Sequence, residues 1–416
     1  MAKTRKDERG RALRKGEVQR ASDKRYMYTY TDPLGRRRSI YAQDLATLRE
    51  KEKQIAKEKQ LMKDQLDGLD LYVAGKATIN DTYDRYISTK YDLRATTRSN
   101  YDYMYNRFVR HTFGKKKIAG TKYSDVLQFY CYLLKKEKLS LGTLDSVHTL
   151  LHPTFQLAVR DEIIRKNPSD GVMKEVSKKA DKTRGVRHAL TREQQRAFMD
   201  YISNHPVYYH WWPLFTVLLG TGCRIGEALG LRWDDLDFDN RILSINHSLV
   251  YYPVGESRKS VLRISKPKTE AGIRTIPMLD IVRDAFHMEH EEQEETGFNE
   301  TEIDGMTGFV FVNRFGSVLN PQAVNRTIKR IISGYNAEEV INAKRERREP
   351  IILPDFSCHH LRHTFCTRLC EHETNLKVIQ AIMGHRNIET TMDIYAEATD
   401  QKKQESFENL SKLDIF

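Results

Sequence analysis

Apolar residues recur along this chain with a period of two near its start and with helix-like spacing over most of the rest. Arg25-Tyr26-Met27-Tyr28-Thr29-Tyr30 alternates, which predicts a strand with three tyrosines on one face. Asp32-Pro33-Leu34-Gly35 supplies turn chemistry, and Arg36-Arg37-Arg38-Ser39-Ile40-Tyr41 predicts a second strand. The two would make a small sheet with an aromatic and a cationic face. Before it, residues 1–24 are polar and basic and are expected to be mobile until bound. After it, Leu45, Leu48, Ile55, Met62 and Leu66 fall at helical spacing among many Lys and Glu residues.

Residues 68–76 have the composition of a linker, and residues 79–168 are helical in pattern throughout. Thr78 can cap the first helix, and Thr96 or Thr97 opens a second with Tyr101, Tyr105 and Phe108 on its apolar face. Gly114-Lys115-Lys116-Lys117 ends it and offers phosphate contacts. A third helix over 124–138 carries Val126, Phe129, Tyr130 and Leu133. A fourth over 141–165 contains Leu144, Val147, Leu151 and Phe155. Pro153 should kink or divide this fourth helix, because proline removes a backbone donor.

Residues 174–187, dense in Lys and Arg, predict a second linker. Thr191 with Gln194 makes a capping box that opens a new domain. An apolar helix over 211–219 leads into Thr221-Gly222-Cys223-Arg224-Ile225-Gly226-Glu227. Strands are predicted over 241–250, 262–266 and 273–277, with a short one over 309–313. Helices are predicted over 280–295 and 321–335. Residues 251–261 and 337–349 look like insertions. The expected fold is multidomain and mainly α. A small β-sheet plus helix occupies residues 1–67 and a four-helix-type domain 77–173. A mixed α+β domain with a three-stranded antiparallel sheet occupies 186–416.

Composition narrows the partner. The 416 residues are too many for one ordinary core. A formal net charge of +12 suits a polyanion, most commonly nucleic acid. No apolar run approaches the roughly 20 residues of a membrane span, and Met1-Ala2-Lys3-Thr4-Arg5 opens no signal core. The 5 cysteines are odd in number and scattered, as free thiols of a reducing cytosol would be.

The candidate chemistry gathers near the end of the chain. His359 and Arg362 are three apart, on one face of a helix. His385 follows a glycine that could end a helix, and Tyr395 comes soon after. Guanidinium, imidazole and phenol are the groups needed to grip a phosphodiester and attack its phosphorus. Upstream, Arg224 stands among apolar neighbours, so it needs an anionic partner. That partner is Glu227 on the next turn, a phosphate, or both. His359, His363, Cys366 and Cys370 crowd together, but no Cys-pair motif or second carboxylate supports zinc, so no metal is expected.

These motifs together resemble the tyrosine recombinases, the integrase family of DNA strand-exchange enzymes. Those carrying the resemblance are Thr221 to Glu227, Pro267-Lys268-Thr269, His359-His360-Leu361-Arg362-His363-Thr364-Phe365, Met383-Gly384-His385 and Thr391-Met392-Asp393-Ile394-Tyr395. They follow the family's order over residues 188–400. The helical region looks like the family's core-site clamp, and the N-terminal sheet like the arm-site domain of conjugative-transposon integrases. The resemblance implies that Tyr395 is the nucleophile, forming a 3′-phosphotyrosyl link. Arg224 and Arg362 would hold the phosphate oxygens, His359 would assist proton transfer, and His385 would donate to the phosphate. Lys268 would protonate the leaving 5′ oxygen; read from the residues themselves, Glu227 would orient Arg224 from behind. A phenol, with a reference pKa of about 10, needs such a cationic setting to act as a nucleophile.

The resemblance further implies double-stranded DNA with core and arm sites as partner, a homotetramer on that DNA, and an excisionase or bending protein as accessory. It implies no cofactor, no membrane and a place in the cytoplasm at the bacterial nucleoid. Arg25, Arg36, Arg37 and Arg38 are expected to contact arm DNA, and Lys115, Lys116 and Lys117 core DNA. Phe407, Leu410, Leu413 and Phe416 either fold back or dock on a neighbouring protomer. Two readings compete. A non-catalytic DNA-binding or architectural protein would need only the basic surfaces. A topoisomerase or dimer-resolving recombinase shares the chemistry but generally lacks an arm-binding sheet.

Overall fold

Three strands form the N-terminal sheet where two were expected: β1 (Glu17–Gln19), β2 (Tyr26–Thr31) and β3 (Arg37–Ala42), antiparallel in that order. The computed structural model describes residues 5–31, 37–65, 75–179, 189–255, 258–267 and 270–396. They divide into two units, Met1–Lys182 and Thr183–Phe416.

β1 lies in the stretch expected to be mobile. The fully buried Glu17 holds it, accepting from Arg49 Nε at 3.0 Å and from the Arg14 amide at 2.7 Å. Arg49 belongs to α1 (Leu45–Gln65), so the strand is tied down by a charge 32 positions away. Across the sheet Tyr26 faces Ala42, Tyr28 faces Ile40 and Tyr30 faces Arg38. The three tyrosines do share a face, and at one end of it Tyr26 and Ala42 pack on Leu45 and Leu48. The single cationic face does not form. Strand alternation puts Arg38 on the tyrosine side and Arg37 on the other; Arg36 lies outside the described residues.

The helical part contains α2 (Ile79–Ser88), α3 (Ala95–Phe108), α4 (Tyr123–Lys135), α5 (Leu141–Arg160) and α6 (Val172–Lys179). Thr78 and Asp81 close the capping box of α2. Tyr83, Tyr105, Tyr130 and Phe155 are fully buried at the centre. α5 is not divided at Pro153. Leu150, Leu151, Thr154 and Phe155 around the proline are all buried, and Thr154 Oγ1 donates to the Leu150 carbonyl at 2.7 Å. Packing outweighs the one missing backbone bond. The expected basic linker begins instead as α6. Val172 and Val176, four apart, join the helical core while Lys174 and Lys178 face outward.

The second unit opens on α7 (Arg192–Asn204), with the Thr191–Gln194 box in place. Then come α8 (Trp212–Thr221), α9 (Ile225–Gly230), and strands β4 (Leu236–Asp237), β5 (Ile242–Ile245), β6 (Ser248–Val254), β7 (Lys259–Ser265) and β8 (Arg274–Pro277). α10 (Asp280–Thr296), α11 (Pro321–Glu346), α12 (Cys358–His372) and α13 (Leu376–Met383) follow. The three-stranded antiparallel sheet exists, but its order is β4-β5-β8, and β6 pairs with β7 alone. The single strand expected over 241–250 breaks at Asn246-His247. There the buried His247 Nε2 turns to the Gly230 carbonyl at 2.6 Å. The 251–261 segment is the far part of the β6–β7 hairpin. Residues 309–313 make only isolated bridges, such as Arg232 with Phe309. The segment at 337–349, which reads as a charged surface helix or an insertion, is mostly the second half of α11, seated by buried Tyr335, Glu339 and Ala343.

Candidate active site

Two helix ends build the floor of the site. α8 and α13 both stop at a left-handed glycine, Gly222 and Gly384, each with φ near 63°. Neither site has room for a side chain. A Cβ on Gly222 would lie 2.3 Å from the Phe365 ring, and one on Gly384 would lie 2.9 Å from the Ala271 carbonyl. Gly222→Ala is expected to cost about 1–3 kcal/mol through backbone strain and overpacking. Thermal unfolding checks this; an unchanged Tm would refute it.

The carbonyls at these ends receive the arginines. Arg362, only 4% exposed, donates from Nη1 to Gly222 O and from Nη2 to Met383 O, both at 2.5 Å. The partial negative charge of helix C-termini makes these suitable acceptors for a cation. Burial, then the nearby Arg224, brings the Arg362 guanidinium down to about 10. Arg224 donates from Nη2 to Gly384 O at 3.2 Å, so both arginines converge on one turn.

Glu227 organises the other side. It accepts from Arg224 Nη1 at 2.7 Å and from the Arg224 amide at 3.0 Å, as the sequence led one to expect. It also accepts from Arg274 Nη2 at 2.9 Å. Burial would push the Glu227 carboxyl up, but Arg274 first and Arg224 next outweigh it and hold it below the usual range. Arg274 was not singled out from the sequence. A signal existed: Ile276 is buried, so alternation along β8 turns Arg274 inward too.

His360 Nδ1 accepts from the Ser357 amide at 3.1 Å and so closes the first helical turn. His359 is exposed, one turn before Arg362. His385 is buried beside Gly384, with Nδ1 3.0 Å from Thr391 Oγ1. Burial, then Arg362, Arg224, Arg274 and His359, bring its imidazole down to about 4, so the ring is neutral at neutral pH. Arg274, Lys377, Gln380 and His385 help line a cavity of about 410 Å³.

Tyr395 lies in a helical stretch, residues 388–396. Its half-buried ring packs with Phe365 and Leu369 on Cys366, Cys370, Ile379 and Met383 of its own chain. Met383 is also the residue whose carbonyl receives Arg362. Arg224, Glu227, Arg362 and His385 are therefore brought together, and Tyr395 packs on the same helices. Lys268 and the tail beyond residue 396 lie outside the described residues. Arg25, Arg37, Arg38, Lys115 and Lys117 are exposed in the other unit. Lys116 is ion-paired to Asp125 at 2.6 Å, which sets it apart from its two neighbours.

Comparison with known proteins identifies the family. Residues 188–402 match the phage integrase family, and residues 1–59 match the DNA binding domain of Tn916 integrase. The transposase from transposon Tn916 of Enterococcus faecalis is 31% identical over 99% of this chain and 98% of its own length. The transposase from transposon Tn1545 of Streptococcus pneumoniae is 30% identical over 99% of this chain and 98% of its own. A solved structure of the Tn1549 transposon integrase with transposon right end DNA has a TM-score of 0.68 at 30% identity, covering 80% of this chain and 99% of that one. The chain belongs to the phage integrase family, as a tyrosine-type site-specific recombinase of the conjugative-transposon kind that integrates and excises a transposon.

Proposed function

We propose that Tyr395 Oη attacks the scissile phosphorus of double-stranded DNA. The P–O5′ bond breaks, a 3′-phosphotyrosyl bond forms, and a 5′-hydroxyl leaves. The phenol proton passes to His359, and Lys268 protonates the departing oxygen. Arg224 and Arg362 hold the non-bridging oxygens as charge builds on them. His385 donates from Nε2, the tautomer in which Thr391 donates to Nδ1. The covalent link conserves the energy of the broken bond, and reversal by a new 5′-hydroxyl rejoins the strands. The observation that carries this reading is the convergence of both arginines on the turn before His385, with Tyr395 packed on Met383.

Residues 1–67 serve arm sites in this reading, and the helical core, extended by α6 beyond residue 173, serves core sites. The catalytic part begins near 186. Four copies assemble on the element ends in the nucleoid, with an excisionase or bending protein as accessory. The relatives' solved complexes contain element DNA, which supports DNA as this chain's partner. The test is a nicked suicide substrate made from the element's ends. Protease digestion and mass spectrometry should place the DNA on the peptide containing Tyr395. DNA on another residue, or no adduct with cognate ends, refutes the assignment.

A further inference from the structure

The guanidiniums of Arg224 and Arg274 flank one carboxylate, Glu227, and that of Arg362 shares the turn that Arg224 reaches. They differ in access. The Arg224 side chain is 43% exposed and faces outward, whereas that of Arg274 is 5% exposed. Arg274 is thus placed behind the site rather than at the phosphate.

Its bonds reach two segments that carry the proposed machinery, and its own strand adjoins a third. Nη2 fixes Glu227 Oε2, leaving Oε1 aimed at Arg224 Nη1. Nε donates to the Ile382 carbonyl at 2.7 Å, in the last turn before Gly384 and His385. Arg274 itself begins β8, shortly after Lys268 in the sequence. A planar fork can make these bonds at once, and a lysine ammonium cannot.

The charge count shows what this arrangement does. Glu227 and Arg224 alone would form a neutral pair with little charge left for a substrate. With Arg274 included, the carboxylate is matched from behind. The cluster then keeps two net positive charges beside a neutral His385, equal and opposite to a phosphorane bearing two negative charges. We propose that Arg274 is a positioning residue for strand cleavage: its buried guanidinium neutralises and orients Glu227, leaving the charge of Arg224 for the scissile phosphate. This rests on the roles given above to Arg224 and Tyr395.

The test uses the full-length chain and the suicide substrate, with single-turnover cleavage, DNA affinity and Tm measured side by side. Arg274→Gln is expected to cleave roughly 100-fold more slowly, the scale of a misplaced catalytic group, while binding DNA within about threefold of wild type. The double variant Arg274→Gln/Glu227→Gln removes both charges and is expected to recover about tenfold over Arg274→Gln alone. Arg274→Lys keeps the charge without the fork, and about a tenfold slowing is expected. It carries the test if the glutamine variant fails to fold, and a wild-type rate there overturns the proposal. A merely structural Arg274 predicts a double variant no faster than the single one, with rate falling in step with Tm; that result overturns the proposal. An adduct that persists in Tyr395→Phe overturns the assignment beneath it. A dead Tyr395→Phe beside an Arg274→Gln of wild-type rate overturns this inference alone.

Discussion

Tyr395→Phe is expected to bind DNA as the wild type does and to form no covalent adduct at all. The ring contributes packing against Cys366, Ile379 and Met383, and phenylalanine keeps that ring. Only the oxygen is lost, and with it the atom that would bond to phosphorus. No neighbouring hydroxyl can substitute without an equivalent approach in line with the leaving oxygen. A gel-shift titration should be unchanged, while a denaturing gel shows no shifted DNA. A residual adduct in the variant would mean that another residue is the nucleophile.

Arg362→Lys is expected to slow cleavage roughly 10³-fold, the scale of losing a preorganised charge donor, and to lower stability by about 1–3 kcal/mol through an unpaired buried carbonyl. The guanidinium spans Gly222 O and Met383 O, and one ammonium cannot satisfy both with the same geometry. The substitution also changes the response to pH. Burial and neighbouring cations already bring Arg362 down to about 10. The same surroundings would bring a lysine, with a reference value of about 10.4, down toward the mildly alkaline range. Deprotonation removes the useful form, so the variant's rate should fall as pH rises through that range. Single-turnover rates against pH check this. Equal rates for variant and wild type would show that Arg362 serves only the fold.

What the sequence disclosed follows from the range of the interactions involved. The cap at Thr78 and the capping box at Thr191 were legible because all their partners lie within three positions. Arg224 with Glu227 was legible for the same reason. Helix-end glycines at 222 and 384 carry their own local signal. By contrast, β1 depends on Arg49, and the sheet's first strand β4 has only two residues. The break at Asn246-His247 depends on a carbonyl 17 positions away. α6 was hidden because its lysines and Glu175 outnumber the two valines that seat it. Arg274 reaches Glu227 over 47 positions and Ile382 over 108, so pattern alone gave it no more weight than any other strand arginine.

The clasp around Arg362 has a further consequence. The residue is held between the tips of α8 and α13, which lie far apart along the chain. Lift either tip and the cation loses half its seat. A molecule caught midway through folding, or breathing open under stress, would therefore be inert toward DNA rather than a loose nuclease. On the role proposed for Arg362, stray chromosomal breaks would be avoided because the blade is made from the joint itself.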